Sequence, residues 1–313
     1  MRAAVTGFLD YILYIRPSMF AQRLVGFCLF IRYFIANRLT GRPLHIAGDA
    51  VMPVSIVSLT SYPRRLGGAY QAIESLFAQR IKPEKVILWL ARDEISEDAI
   101  PQSLKRLQRR GLDIRFVDIN LGSHKKLYYA AKEYPNHIIV TADDDTCYPP
   151  GWLEGLYEKH KANTGCILCY RGHFLRKRSD GKGFLPYIEM RNKPVAGHVE
   201  PSYSLMPTGG SGVLYPQGVF DAMFFDIDSY LAHSMNADDI WYKAMGVRNN
   251  VKTLRIGAHN KLFVTTCFSY QKNALWKQSD ASGHNDKVLQ ALTGLWPEIL
   301  EKVEPVETLR IIP

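Results

Sequence analysis

From Pro53 to Val140, short apolar runs alternate with stretches whose apolar residues recur every three to four positions. Val54–Leu59 predicts a first strand, and Leu66–Gln79 a helix with Ala72, Ile73, Leu76 and Phe77 along one face. Val86–Leu90 predicts a second strand, followed by a helix that Ser96 caps and Gly111 ends. Ile114–Val117 is a third strand, Lys125–Glu133 a helix, and His137–Val140 a fourth strand that runs straight into Asp143-Asp144-Asp145. Strands alternating with helices predict an α/β fold, a parallel sheet with helices on both faces. Ligands of such sheets bind beyond the carboxyl ends of the strands, where the acidic triplet is expected.

Three adjacent carboxylates repel one another, and a divalent cation relieves that repulsion through hard oxygen ligands. A solvated acidic turn is the plainer alternative. A net charge of +9 draws anions to the surface without saying which: nucleic acid, acidic lipid or a diphosphate. With 47% hydrophobic and 22% charged residues the chain of 313 residues folds around a full core, and no internal repeat or low-complexity tract interrupts it. Five cysteines thinly spread argue for a reducing compartment rather than a disulfide framework. Cys166 and Cys169 sit in a strand-like apolar run, where residues three apart face opposite ways and do not share a metal.

Met1–Arg38 is apolar but interrupted by Asp10, Arg16, Arg23 and Arg32, so it holds no uncharged run of the roughly 20 residues a spanning helix needs. It also lacks the pattern of a signal peptide. On an ideal wheel Arg2, Arg16, Arg23 and Arg38 fall within about a 60° arc, and Pro17 is expected to divide the segment into two helices. That distribution predicts a segment, residues 1–48, lying in an anionic membrane interface, or else helices packed on the protein's own core. A chain beginning near Asp49 is expected to lose anionic liposomes that the full chain binds.

Val54–Leu59 followed by Thr60-Ser61-Tyr62-Pro63-Arg64-Arg65, then Ser75-Leu76-Phe77-Ala78-Gln79, resembles the start of bacterial GT-A glycosyltransferases. Leu121–Leu127, the strand ending in Asp143-Asp144-Asp145 as a DxD motif, and Tyr148-Pro149 with Trp152-Leu153 continue a family-2-like resemblance from about Val54 to about Gly246. It implies a GT-A (Rossmann-like) mixed sheet flanked by helices over residues 49–313, with a nucleotide-binding half at 49–150 and an acceptor-binding half at 151–313. It also implies a Mn2+- or Mg2+-dependent transfer from a nucleoside-diphosphate sugar, by default a UDP-sugar, to a glycan or lipid-linked acceptor in surface polysaccharide synthesis. The expected place is the cytoplasm, peripheral to the inner face of the cytoplasmic membrane, with no nucleic-acid partner.

Carried over by the resemblance, Thr60, Tyr62 and Arg65 border the nucleotide, with Lys126 near its diphosphate or the donor sugar. Asp145 is the direct metal ligand, Asp143 a ribose or metal contact, and Asp144 the least defined of the three. Lys125 and Lys126 also read as a solvated helix start. The Gly-rich stretch Met206–Gly212 lacks P-loop spacing but lets the backbone approach a sugar closely, and Arg171–Gly183 reads as an exposed basic loop, either a flap that closes over the diphosphate or a simple solvated loop. Asp238 and Asp239 open an apparent helix, with Asn236 or Asp238 as its cap. By resemblance the catalytic carboxylate lies at Asp238 and Asp239, with Asp239 matching the base that deprotonates the acceptor in an inverting reaction. His284 is a further candidate metal ligand or an ordinary surface histidine. Two other classes remain open at this point, a basic nucleic-acid-binding protein and a metal-dependent phosphoryl transferase or hydrolase.

Overall fold

The computed structural model describes residues 19–40, 43–266 and 282–312. Helix α1 (Met19–Ile35) leads through a π turn, Ala36–Thr40, to the first strand. Strands β1 (Ala50–Thr60), β2 (Ile81–Ala91), β3 (Leu112–Val117) and β4 (Ile138–Thr141) are joined by α2 (Pro63–Leu66), α3 (Tyr70–Phe77), α4 (Gln102–Gln108) and α5 (Lys125–Glu133). The chain continues through β5 (Thr146–Cys147), α6 (Trp152–Lys161), β6 (Ile167–Cys169), β7 (Gly172–Phe174), α7 (Tyr187–Arg191), β8 (His198–Val199) and β9 (Leu205–Pro207). Then come β10 (Val213–Tyr215), α8 (Ile227–His233), α9 (Asp238–Arg248), β11 (Thr253–Arg255) and β12 (Val264–Thr265). Helices α10 (His284–Leu295) and α11 (Glu298–Lys302) and strand β13 (Ile311–Ile312) complete the described chain.

One seven-stranded sheet has the order β11-β6-β10-β4-β1-β2-β3. It is parallel except at β10, which runs antiparallel to both β4 and β6. Successive residues of a strand face opposite sides, and the core divides accordingly. Ile56, Ile87, Ile139 and Val213 join one apolar cluster with α5 and α9, while Val57, Leu88, Val140 and Leu214 join the other with α3, α4 and α6.

Several boundaries depart from the sequence expectation. Gly67 and Gly68 divide the expected Leu66–Gln79 helix into α2 and α3. Ser96 heads only a 3-10 turn, Glu97–Ala99, and makes no side-chain cap. The next helix starts at Gln102, because a residue before proline avoids the helical region and Ile100 is extended ahead of Pro101. β1 begins at Ala50, and its register with β2 shifts between Met52 and Ile56, where Pro53 lacks an amide donor and Val54 has φ 52°. Arg171–Gly183 is not a loop throughout, since β7 within it is buried and paired with β9. Cys169 is buried and Cys166 half-buried.

Helix α1 has two apolar faces. Leu29 and Tyr33 pack against Cys147 and, with Val25, reach Val264. Leu24, Phe27, Ile31, Phe34 and Ile35 are exposed. The turn after it is tied to the body, for Asn37 donates to Glu74 Oε1 at 3.0 Å, and Glu74 pairs with the buried Arg110 guanidinium. The expected break at Pro17 and the positions of Arg2 and Arg16 lie outside the described residues. Among the described residues no helix is long and apolar enough to cross a membrane.

Candidate active site

The antiparallel β10 decides what meets the acidic triplet. Its first residue, Val213, pairs with Thr141 at the end of β4, so the Gly209–Ser211 turn that precedes β10 arrives at the carboxyl edge of the parallel strands. The amino end of α5 and that of α9 reach the same edge. Gly209 must approach closely there: a Cβ on it would stand 3.2 Å from Asp239 Oδ1 and 3.2 Å from Lys126 Nζ. Gly212, at φ +84°, lies against the Trp152 ring where a Cβ would collide.

Lys126 is the centre of this group. The solvated reading of the α5 start fails, because Lys126 is only 6% exposed and Lys125 is buried as well. Lys126 Nζ donates to Asp143 Oδ1 at 2.8 Å and lies 3.6 Å from Asp238 Oδ2. Burial opposes its charge, but Asp143, Asp238 and Asp239 together hold the ammonium well above its usual range. Burial likewise opposes the charge of Asp143, and Lys126 overrides it, keeping that carboxyl below the usual range. The Asp143 amide donates to the Tyr148 hydroxyl at 2.8 Å, which fixes the loop as it leaves β4.

Neither Asn236 nor Asp238 caps α9. Asn236 has φ +65°, Ala237 takes the cap position, and no side chain bonds to the first-turn amides. Asp238 Oδ1 instead accepts from Ser123 Oγ at 2.7 Å, and Asp239 Oδ2 accepts from the Gly209 amide at 3.1 Å. Burial, and then the charge of Asp238, push Asp239 up to about 7. His124 lies below this group in an aromatic nest, stacked on Tyr230 at 4.1 Å, with Nδ1 3.1 Å from the Tyr242 hydroxyl.

The other two carboxylates of the triplet are clasped by arginine. Arg65 Nη1 lies 3.2 Å from Asp144 Oδ1 and 2.8 Å from Asp145 Oδ2. Asp144, 5% exposed, also accepts from Ser61 Oγ at 2.5 Å, and burial with repulsion from Asp145 pushes it up to about 6. Thr60 donates its hydroxyl to the Trp89 carbonyl at 2.8 Å, and the Tyr62 ring lies 5.6 Å from the Arg65 guanidinium. The Asp145 carbonyl accepts from the Thr266 amide, which ties the triplet to β12, the antiparallel partner of β5.

A hard divalent cation fits these donors. Asp143 and Asp145 are half-buried carboxylates at the edge of the sheet, a setting in which one or two carboxylates hold the cation and phosphate oxygens complete its shell. The Arg65 guanidinium already brings positive charge to Asp145. Among the described residues no group of three or more His, Cys, Asp or Glu side chains is placed to hold a metal ion by itself. His284, the first residue of α10, has Nε2 2.8 Å from the Met235 carbonyl. The structure thus joins Lys126, Asp143, Asp238 and Asp239 in one group and Arg65, Asp144 and Asp145 in another. Sequence reasoning gave Ser61, Ser123 and the Gly209 amide no partner. It also missed Arg171, whose charge bears on both Asp143 and Asp239. The signal for Ser61 and Ser123 was their place in the two matched loops; nothing local marked Arg171.

A mostly parallel sheet with acidic and basic groups gathered on its carboxyl edge defines an α/β protein of the GT-A type. The description "Glycosyl transferase family 2" matches residues 65–221, half of the chain, and the protein belongs to that family. No curated protein matches it. Among solved structures it is similar to a mannosyltransferase from Pyrobaculum calidifontis in complex with GDP-Man and Mn2+, at 14% identity and TM-score 0.45, over 90% of this chain and 74% of that one. It is also similar to TarS 1-349 of S. aureus, at 13% identity and TM-score 0.41, over 68% of this chain and 59% of that one. A third likeness is to the inositol-1-phosphate CTP transferase of T. maritima, at 10% identity and TM-score 0.40, over 75% and 97%.

Proposed function

We propose that this family-2 glycosyltransferase moves a hexosyl group from a nucleoside-diphosphate sugar, by default a UDP-sugar, to a glycan or lipid-carried hydroxyl, with inversion. The observation that carries the reading is Lys126, which bonds Asp143 at 2.8 Å and stands 3.6 Å from Asp238, next to Asp239. A leaving-group end and a proton-accepting end are thereby adjacent. Asp239 accepts the acceptor hydroxyl's proton, and a carboxylate pushed up to about 7 suits that task near neutral pH. The Gly209 amide holds Asp239 in place. Lys126 keeps Asp143 ionised on the donor side. Asp145, with Asp143, would hold Mn2+ or Mg2+, which neutralises charge on the departing diphosphate. Thr60, Tyr62 and Arg65 form the nucleotide wall. Asp144 supports that wall from beneath through Ser61 and Arg65. His284 is left outside the ligand set in this reading, since its Nε2 is taken by Met235.

The same reading places the protein at the inner face of the cytoplasmic membrane, serving surface polysaccharide synthesis. Its support is the exposed face of α1, which has no acidic residue, and Arg38, whose guanidinium lies 4.1 Å over the Phe34 ring. Phe27→Ser with Ile31→Ser should halve or abolish binding to anionic vesicles, and unchanged sedimentation would remove this part of the reading.

A screen of sugar nucleotides with and without Mn2+ tests the reaction. Release of nucleoside diphosphate that requires both metal and acceptor is the expected result. Release of inorganic phosphate or nucleoside monophosphate would point to a phosphoryl transferase or hydrolase instead.

A further inference from the structure

Arg65 stands where a cation serving Asp145 would stand. Its Nη1 is within 3.2 Å of Asp144 and 2.8 Å of Asp145, so one guanidinium nitrogen neutralises two carboxylates that repel each other. The contact is incomplete for the arginine. Among the described residues its Nε has no hydrogen-bond partner although it is buried, a cost that a planar donor fork ordinarily avoids. The side chain is also not locked in, for it is 18% exposed and extends from the four-residue helix α2 that Gly67 ends. Lys126, by contrast, is enclosed by three carboxylates and cannot move without stranding them.

We infer that Arg65 is a built-in counter-cation that competes with divalent metal for Asp145 and is released toward the diphosphate when metal and nucleotide arrive together. The inference rests on the reading that Asp145 binds the metal. In the empty site the guanidinium screens Asp145, and metal alone gains little by displacing it. A nucleoside diphosphate offers phosphate oxygens to the freed fork, including an acceptor for Nε, and that exchange repays the lost pairing with Asp145. Metal and nucleotide then bind with positive coupling, each raising the affinity of the other by the same factor.

Mn2+ binding, followed by loss of the free-ion EPR signal, tests this without turnover. Arg65→Gln should bind Mn2+ alone more tightly than the wild type, on the order of tenfold, as expected when a charge beside the ligand is removed. Uridine diphosphate should tighten Mn2+ binding in the wild type by a larger factor than in Arg65→Gln. Arg65→Lys, which keeps the charge and loses the fork, should stay as weak as the wild type toward Mn2+ alone. Adding Asp145→Asn to Arg65→Gln should remove the gained affinity. Equal or weaker Mn2+ binding by Arg65→Gln overturns the inference, and so does an Arg65→Lys variant that matches Arg65→Gln. A gain that survives Asp145→Asn places the ion elsewhere and overturns both the inference and the assignment of Asp145. Absence of nucleoside diphosphate release in the sugar-nucleotide screen is a separate failure, that of the transferase reaction.

Discussion

The two cations at the carboxyl edge of the sheet do different work. Lys126 is buried and sits among Asp143, Asp238 and Asp239, whereas Arg65 is partly exposed and clasps Asp144 and Asp145. A buried charge held among three half-buried carboxylates is part of the structure, because removing it leaves several carboxylates without their cation at once. A rim charge of the same sign can exchange one anion for another. On the proposed reading the lysine joins the donor end to the base end, and on the further inference the arginine governs what the donor end admits.

Breaking the lysine end should have the largest effect. Lys126→Met should destabilise the protein by about 3–5 kcal/mol, read from the midpoint of chemical unfolding, since Asp143 loses its partner inside the fold. A midpoint within experimental error of the wild type would show that the lysine is not a structural bridge. At the arginine end, Asp145→Asn should leave the unfolding midpoint nearly unchanged. It should weaken Mn2+-dependent donor binding on the order of 10- to 100-fold in calorimetry, while metal-free nucleotide binding stays as it was.

The pH profile separates the two ends further. In the proposed reaction Asp239 serves as the base only when ionised, and its carboxyl is pushed up to about 7. Turnover should therefore rise about tenfold per unit below pH 7 and level off above it. A flat profile from pH 5 to 8 would place the base elsewhere. The smallest effect is expected from Ser123→Ala, which removes the hydroxyl bonded to Asp238 Oδ1. It should cost about 0.5–1.5 kcal/mol of stability and leave donor affinity unchanged.

Much of this arrangement was legible because it follows from periodicity and from the matched loops. Val86–Leu90 and Lys125–Glu133 fall in β2 and α5 as apolar spacing predicted, and the acidic triplet falls at the end of β4 as an α/β pattern requires. The helix after Ser96 was misplaced because Pro101, five residues on, outranks a capping hydroxyl in deciding where a helix can start. Lys126 was legible as a candidate but not as a bridge. Its burial depends on β10 running antiparallel, which brings Gly209 and α9 to it from far along the chain. The capping role allowed for Asp238 failed for the same reason: Ser123, 115 residues away in sequence, offers a better partner than the helix's own amides. Arg65 showed the opposite limit, since the loop resemblance gave no sign that it pairs with Asp144 and Asp145.

Asp239→Asn tests the central claim most directly. Asparagine keeps the shape of the side chain and an oxygen for the Gly209 amide, and it removes only the capacity to take a proton. With saturating donor, metal and acceptor, nucleoside diphosphate release should fall about 10²- to 10⁴-fold while donor affinity stays within twofold of the wild type. Turnover retained at the wild-type rate would contradict the account.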